Sequence, residues 1–305
     1  MTVMADEAFA SRPLVHEFDL RAEDGVALAA RHFAPSSPRL GRAATPARGA
    51  VLIAPALGVP QTYYEAFAHW LASTGFHALT FDYRGIGASR RGPLRDVDAD
   101  LFTWAKVDLA AALEALEARA AGVPVTWLGH SLGGQVVPFV PGAERVSKIV
   151  TVATGSGYWR DNSEPLRRRV WMLWFGAVPI ATPLFGYFPG QKLGMVGDLP
   201  RGVVMQWRKW CLHRDYVVGA EHEARARFAA VRTPIVSFSF TDDEMMSARS
   251  IASIHDFYVG APRTMHRLSP HDLGLSRVGH FGAFRRSMRA PLWERWLRPV
   301  LSVAS

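Results

Sequence analysis

Ser131, in the stretch Gly129-His130-Ser131-Leu132-Gly133, combines a residue type and a spacing suited to acyl-transfer chemistry. A serine hydroxyl is a poor nucleophile until a base takes its proton, and the base must itself be oriented by an acid. The base expected is His280 in SRVGHFGAF, where Gly279 and Gly282 leave room around the ring. His271 is the runner-up, His130 reads as a packing residue beside the nucleophile, and His266 falls inside a strand. The acid lies in FSFTDDEMMS, with Asp242 and Asp243 both available directly after a buried strand.

Gly-x-Ser-x-Gly is short enough to arise by chance, so its surroundings decide its meaning. The apolar run Pro124-Val125-Thr126-Trp127-Leu128 predicts a strand before it, and Leu132-Gly133-Gly134-Gln135-Val136-Val137 predicts a helix after it. Strand, tight turn and helix is the context a nucleophile elbow requires. A helix starting near Leu132 also points backbone N–H groups at the serine.

The whole chain alternates in the same way, which predicts an α/β protein with a mostly parallel central sheet flanked by helices. A hairpin is expected from Leu14–Leu20 and Val26–Phe33, then strands at residues 50–55, 76–82, 123–129, 147–153, 233–240 and 263–268. Helices are expected near 63–74, 101–121 and 247–259 and after Phe281. Residues 35–49 read as a loop. Between Thr154 and Val231 the alternation stops and five of the ten tryptophans collect. The expected organisation is an α/β core of residues 1–153 and 232–305, interrupted by an inserted helical cap, 154–231.

With the serine, acid and base in this order, the chain resembles the α/β-hydrolase superfamily, in the branch of lysophospholipase-like and serine-aminopeptidase-like hydrolases. The loop FDYRGIGAS (81–89) is similar to a turn common in that superfamily and is taken as structural. The resemblance favours Asp243 as the acid, because Glu-Met-Met-Ser after it matches the usual loop. It also implies an oxyanion hole made by the N–H of Leu132 and a second N–H from the loop Pro55-Ala56-Leu57-Gly58. Many relatives carry His-Gly-x there, so Leu57 is the choice with Gly58 and Ala56 as alternatives. Ser131 at the elbow argues against haloalkane dehalogenases and epoxide hydrolases, which use Asp.

These readings imply a serine hydrolase that cleaves an ester or thioester with an apolar acyl or alcohol group. The alternatives are an acyltransferase using the same triad and a non-catalytic ligand-binding protein of this fold. Trp171, Trp174 and Phe175 are the expected pocket aromatics. No cofactor and no metal set is expected, since a single cysteine and scattered histidines give no zinc pattern.

Charge and composition narrow the partners. The net charge of +8 comes from 35 basic residues, only four of them lysine, interspersed with acids. That reads as a solvated basic face, with no nucleic-acid motif. Val170–Pro189 is uncharged for twenty residues, about a bilayer's thickness in helical length, but contains three prolines and two glycines. It is read as a hydrophobic lid rather than a span, with membrane-surface association left open. One cysteine and an N-terminus without a signal-peptide pattern make the cytoplasm the expected location.

Overall fold

The computed structural model describes residues 14–35, 46–195 and 197–302. The acidic N-terminal stretch and most of the expected 35–49 loop lie outside them. Eight strands form one sheet in the order β1-β2-β4-β3-β5-β6-β9-β10. Strands β1 (Leu14–Arg21) and β2 (Ala27–Ala34) make the antiparallel hairpin, and β2 joins β4 (Phe76–Phe81) antiparallel. From β4 onward the sheet is parallel through β3 (Gly49–Ala54), β5 (Val125–His130), β6 (Lys148–Val152), β9 (Ile235–Phe240) and β10 (Arg263–Leu268). A two-stranded ribbon, β7 (Tyr187–Phe188) with β8 (Leu199–Pro200), stands apart.

Parallel strands need cover on both faces, and period-two alternation supplies an apolar side chain to each. Leu52 and Trp127 face one core cluster, with the helical run from Leu101 to Arg119. Val51, Ile53 and Leu128 face the other, with helix Glu65–Ser73 and the C-terminal helical turns. Strand order reverses between β3 and β5, since β4 lies on one side of β3 and β5 on the other. The carboxyl ends flanking such a switch point open a crevice, and here they deliver the loop after Ala54 and Ser131.

Between β6 and β9 the chain leaves the sheet. Residues 154–231 form the continuous helical run Val170–Met172, Leu173–Ala177 and Val178–Phe185, then helices Arg201–Leu212, Tyr216–Ala220 and Ala224–Ala230. Trp174, Trp210, Tyr216 and Phe228 bury themselves in the same cluster as Leu57 and Trp127, so this segment shares the sheet's core.

Two element lengths differ from expectation. The helix after Ser131 is a single turn, Leu132–Gln135, because Pro138 lies where the next turn would need a backbone N–H. The helix expected over 247–259 is Ala248–His255, capped by the Ser247 hydroxyl accepting from Ser250 N at 3.1 Å.

Candidate active site

Ser131 sits at φ 49°, ψ −112°, in a region a residue with a Cβ rarely adopts, at a cost of about 1–3 kcal/mol. Its neighbours hold it there. Ser131 N donates to Val152 O (2.9 Å), and Ser131 O accepts from Gly134 N (3.0 Å) and Thr154 Oγ1 (3.1 Å). The motif glycines are steric requirements of this turn. A Cβ on Gly129 would lie 2.5 Å from Gly134 N, and one on Gly133 would run into the Ala54 carbonyl of β3.

His280 lies in the segment that follows β10, and three consecutive acids after β9 hold it. Its Nδ1 is 2.9 Å from Asp243 Oδ2, with both side chains buried. Asp243 Oδ1 accepts from the backbone N–H groups of Met245 and Met246, each at 2.8 Å. A carboxylate that already accepts two N–H bonds offers Oδ2 as an acceptor, so Nδ1 carries the proton and Nε2 presents a lone pair. Asp242 Oδ2 accepts from Val278 N (2.8 Å) and Gly279 N (3.1 Å), and Glu244 Oε2 accepts from His280 N (3.0 Å). One acid holds the ring while its two neighbours hold the backbone that carries it. Gly279, at φ 67°, completes the turn where a Cβ would come within 2.7 Å of Glu244 Oε2.

A cavity of about 520 Å³ opens above this end of the sheet, and Ser131, Leu132, His280 and Leu57 all line it. Ala56, one of the three candidates for the second oxyanion donor, gives its N–H to Tyr64 Oη at 2.9 Å. Among the described residues the N–H groups of Leu57 and Gly58 meet no acceptor, which leaves these two.

The apolar wall corrects part of the sequence reading. Trp174 lines the cavity, but Trp171 and Phe175 point outward and are 51% and 54% exposed. The reason is helical phase: Val170, Leu173 and Trp174 share the inward face, and residues 171, 172 and 175 share the other. Val170, Leu173, Trp207, Met246 and Phe281 also line the cavity and were not anticipated. The i, i+3, i+4 spacing of Val170, Leu173 and Trp174 was a readable signal, obscured because the opposite face is apolar too. His271 is exposed in its own short turn, and His266 lies on β10 stacked on Phe238.

Buried hydrogen bonds join the two loops behind the cavity. Tyr64 Oη lies 2.8 Å from His130 Nδ1, and His130 Nε2 lies 3.1 Å from the backbone oxygen of His280. Burial, reinforced by His280, pushes the His130 pKa down to about 3. The loop 81–89 is held by buried carboxylates. Asp82 accepts from Gln61 N (2.6 Å) and Ala88 N (2.9 Å), while Arg84 is ion-paired with buried Asp108 at 2.7 Å.

A family model described as serine aminopeptidase, S33 matches residues 45–178, the stretch that runs from β3 through Ser131 into the segment after β6. The fold is similar to a soluble variant of monoglyceride lipase from Saccharomyces cerevisiae in complex with a substrate analog: TM-score 0.59, 16% identity, 88% of this chain and 89% of that one covered. The chain has the α/β-hydrolase fold. It is also similar to a thermostable carboxyl esterase from Bacillus coagulans, with TM-score 0.56 and 13% identity over 84% of this chain and 90% of the other. An acylaminoacyl peptidase from Pyrococcus horikoshii gives 0.58 and 12%, over 97% of this chain but only 43% of the peptidase. No curated protein matches its sequence. Among the described residues no cluster of metal-ligating side chains occurs.

Proposed function

We propose that the protein is a serine hydrolase that cleaves a carboxylic ester or thioester with an apolar acyl or alcohol group, through Ser131, His280 and Asp243. The observation that carries this reading is the 2.9 Å contact of His280 Nδ1 with Asp243 Oδ2, set behind a cavity that Ser131 and His280 both line. His280 Nε2 takes the Ser131 proton as Oγ bonds to the substrate carbonyl carbon. The tetrahedral oxyanion is received by Leu132 N–H and by the N–H of Leu57 or Gly58. Collapse breaks the carbonyl–oxygen or carbonyl–sulfur bond, and His280 gives its proton to the leaving group. Water then repeats the sequence on the acyl-enzyme and frees the acid. Each oxyanion donor is worth about 10²–10³ in rate.

Residues 154–231 act as the cap. They place Val170, Leu173 and Trp174 over the serine, and this mainly apolar wall favours an apolar group over a charged peptide. Asp243 rather than Asp242 is taken as the orienting acid because its Oδ2 meets His280 Nδ1, whereas Asp242 Oδ2 accepts from the backbone of Val278 and Gly279. Turnover of p-nitrophenyl acetate, butyrate and octanoate by wild type and Ser131→Ala tests the reading. Wild type should turn over at least one of them with Ser131→Ala lower by several orders of magnitude, and equal rates overturn it.

A further inference from the structure

The helical run from Val170 to Phe185 is apolar on both faces. Its inward side chains, Val170, Leu173, Trp174, Val178 and Thr182, are buried. Its outward ones are large and open to solvent: Trp171 51%, Met172 49%, Phe175 54%, Ile180 69% and Leu184 76%. An apolar patch of this kind on a water-exposed helix calls for a covering surface. No helix among the described residues is long and apolar enough to cross a membrane, so this one is suited to lying in an interface rather than spanning it.

Charge identifies the surface. Residues 165–197 contain Arg167, Arg168, Arg169 and Lys192 and not one acid. Cations border the patch at both ends. The Arg208 guanidinium lies 5.9 Å from the Phe175 ring, and Arg160 lies over Trp159, which meets Phe175 edge-on. At the other end Lys192 Nζ is 5.6 Å from the Phe185 ring. Glu164, just before the run, ion-pairs with Arg167 and Arg168, while Arg169 has no carboxylate partner among the described residues. Apolar side chains ringed by cations complement acyl chains beneath anionic headgroups.

We propose that the outward face of Val170–Phe185 docks the hydrolase on an anionic phospholipid surface. The docked helix is also a wall of the cavity above Ser131, since Val170, Leu173 and Trp174 line it from the opposite face. An apolar ester then passes from the lipid toward the serine beside one helix rather than through bulk water. The delivery step rests on the ester-hydrolase reading, whereas the docking does not.

Co-sedimentation with vesicles tests it, comparing pure phosphatidylcholine with phosphatidylcholine carrying about 30 mol% phosphatidylglycerol, at low and high salt. Wild type should partition onto the anionic vesicles about tenfold or more over the neutral ones and be released by salt. The double variant Ile180→Asp/Leu184→Asp should lose that binding yet keep its turnover of the water-soluble p-nitrophenyl acetate, because neither residue lines the cavity. No vesicle binding, equal binding to both compositions, or binding unchanged in the variant overturns the proposal. So does sedimentation analysis showing a wild-type dimer that the variant splits, which would assign the face to a second copy of the chain. Soluble-ester turnover is read separately, so failure to dock and failure to hydrolyse are distinguishable.

Discussion

His130, the residue before Ser131, has its Nε2 3.1 Å from the backbone carbonyl oxygen of His280. A carbonyl only accepts, so Nε2 carries the ring proton and donates. Nδ1 must then accept, and Tyr64 supplies the hydrogen across 2.8 Å. Tyr64 has that proton to give because its oxygen already accepts the Ala56 N–H. One neutral imidazole thus ties the loop of the candidate oxyanion donors to the loop of the base.

His130→Ala removes both ties at once. Its expected effect is a loss of kcat of about 10- to 100-fold with KM little changed, since sub-ångström misplacement acts on the reacting geometry rather than on the apolar wall. Tyr64→Phe keeps the His130–His280 bond and should cost less. Steady-state kinetics on a short p-nitrophenyl ester separates the two parameters, and a pure KM effect would contradict the positioning role.

Asp243 and Asp242 are adjacent, and their partners differ. Asp243→Asn presents an amide where His280 needs an acceptor and should lower kcat by about 10³–10⁴, the scale on which a wrong imidazole tautomer acts. Asp242→Asn weakens two backbone bonds near Val278 and Gly279, so its activity loss should be far smaller. Rates for the two variants, with circular dichroism to establish folding, decide between them. The reverse ranking would move the orienting role to Asp242.

Acid should destabilise the fold through its buried histidines. Burial, with His77 and Arg119 adding to it, lowers the His32 pKa to about 4, and His32 Nε2 meets His77 Nδ1 at 3.0 Å. The folded value lies below the unfolded value of about 6.5, so the unfolded chain binds the proton more readily. The His32 contribution is therefore neutral above pH 6.5 and turns against folding as pH falls from about 6.5 to about 4. His32→Gln should flatten the urea-midpoint loss between pH 7.5 and 4.5. Parallel pH profiles for variant and wild type would show that His32 does not contribute.

Much of this was legible in the chain. Val125–Leu128 before Gly129 and the two motif glycines specify the elbow, because a strand running into a turn that crowded leaves few other solutions. His280 was legible from its flanking glycines and its position after the last strand. The duties of Asp242 and Glu244 were not, since their partners lie 36–37 residues away in sequence. His130 was read as packing, and its hydrogen bonds span 66 and 150 residues. Trp171 and Phe175 were misplaced because the opposite face of their helix is apolar too, which obscures the i, i+3, i+4 spacing of Val170, Leu173 and Trp174.

Intact-protein mass spectrometry after treatment with a fluorophosphonate tests the central claim most directly. Wild type should gain the mass of one phosphonyl group, mapped to Ser131, and Ser131→Ala should gain none. An unmodified wild type, or an adduct of equal yield on Ser131→Ala, would contradict an activated serine at this elbow.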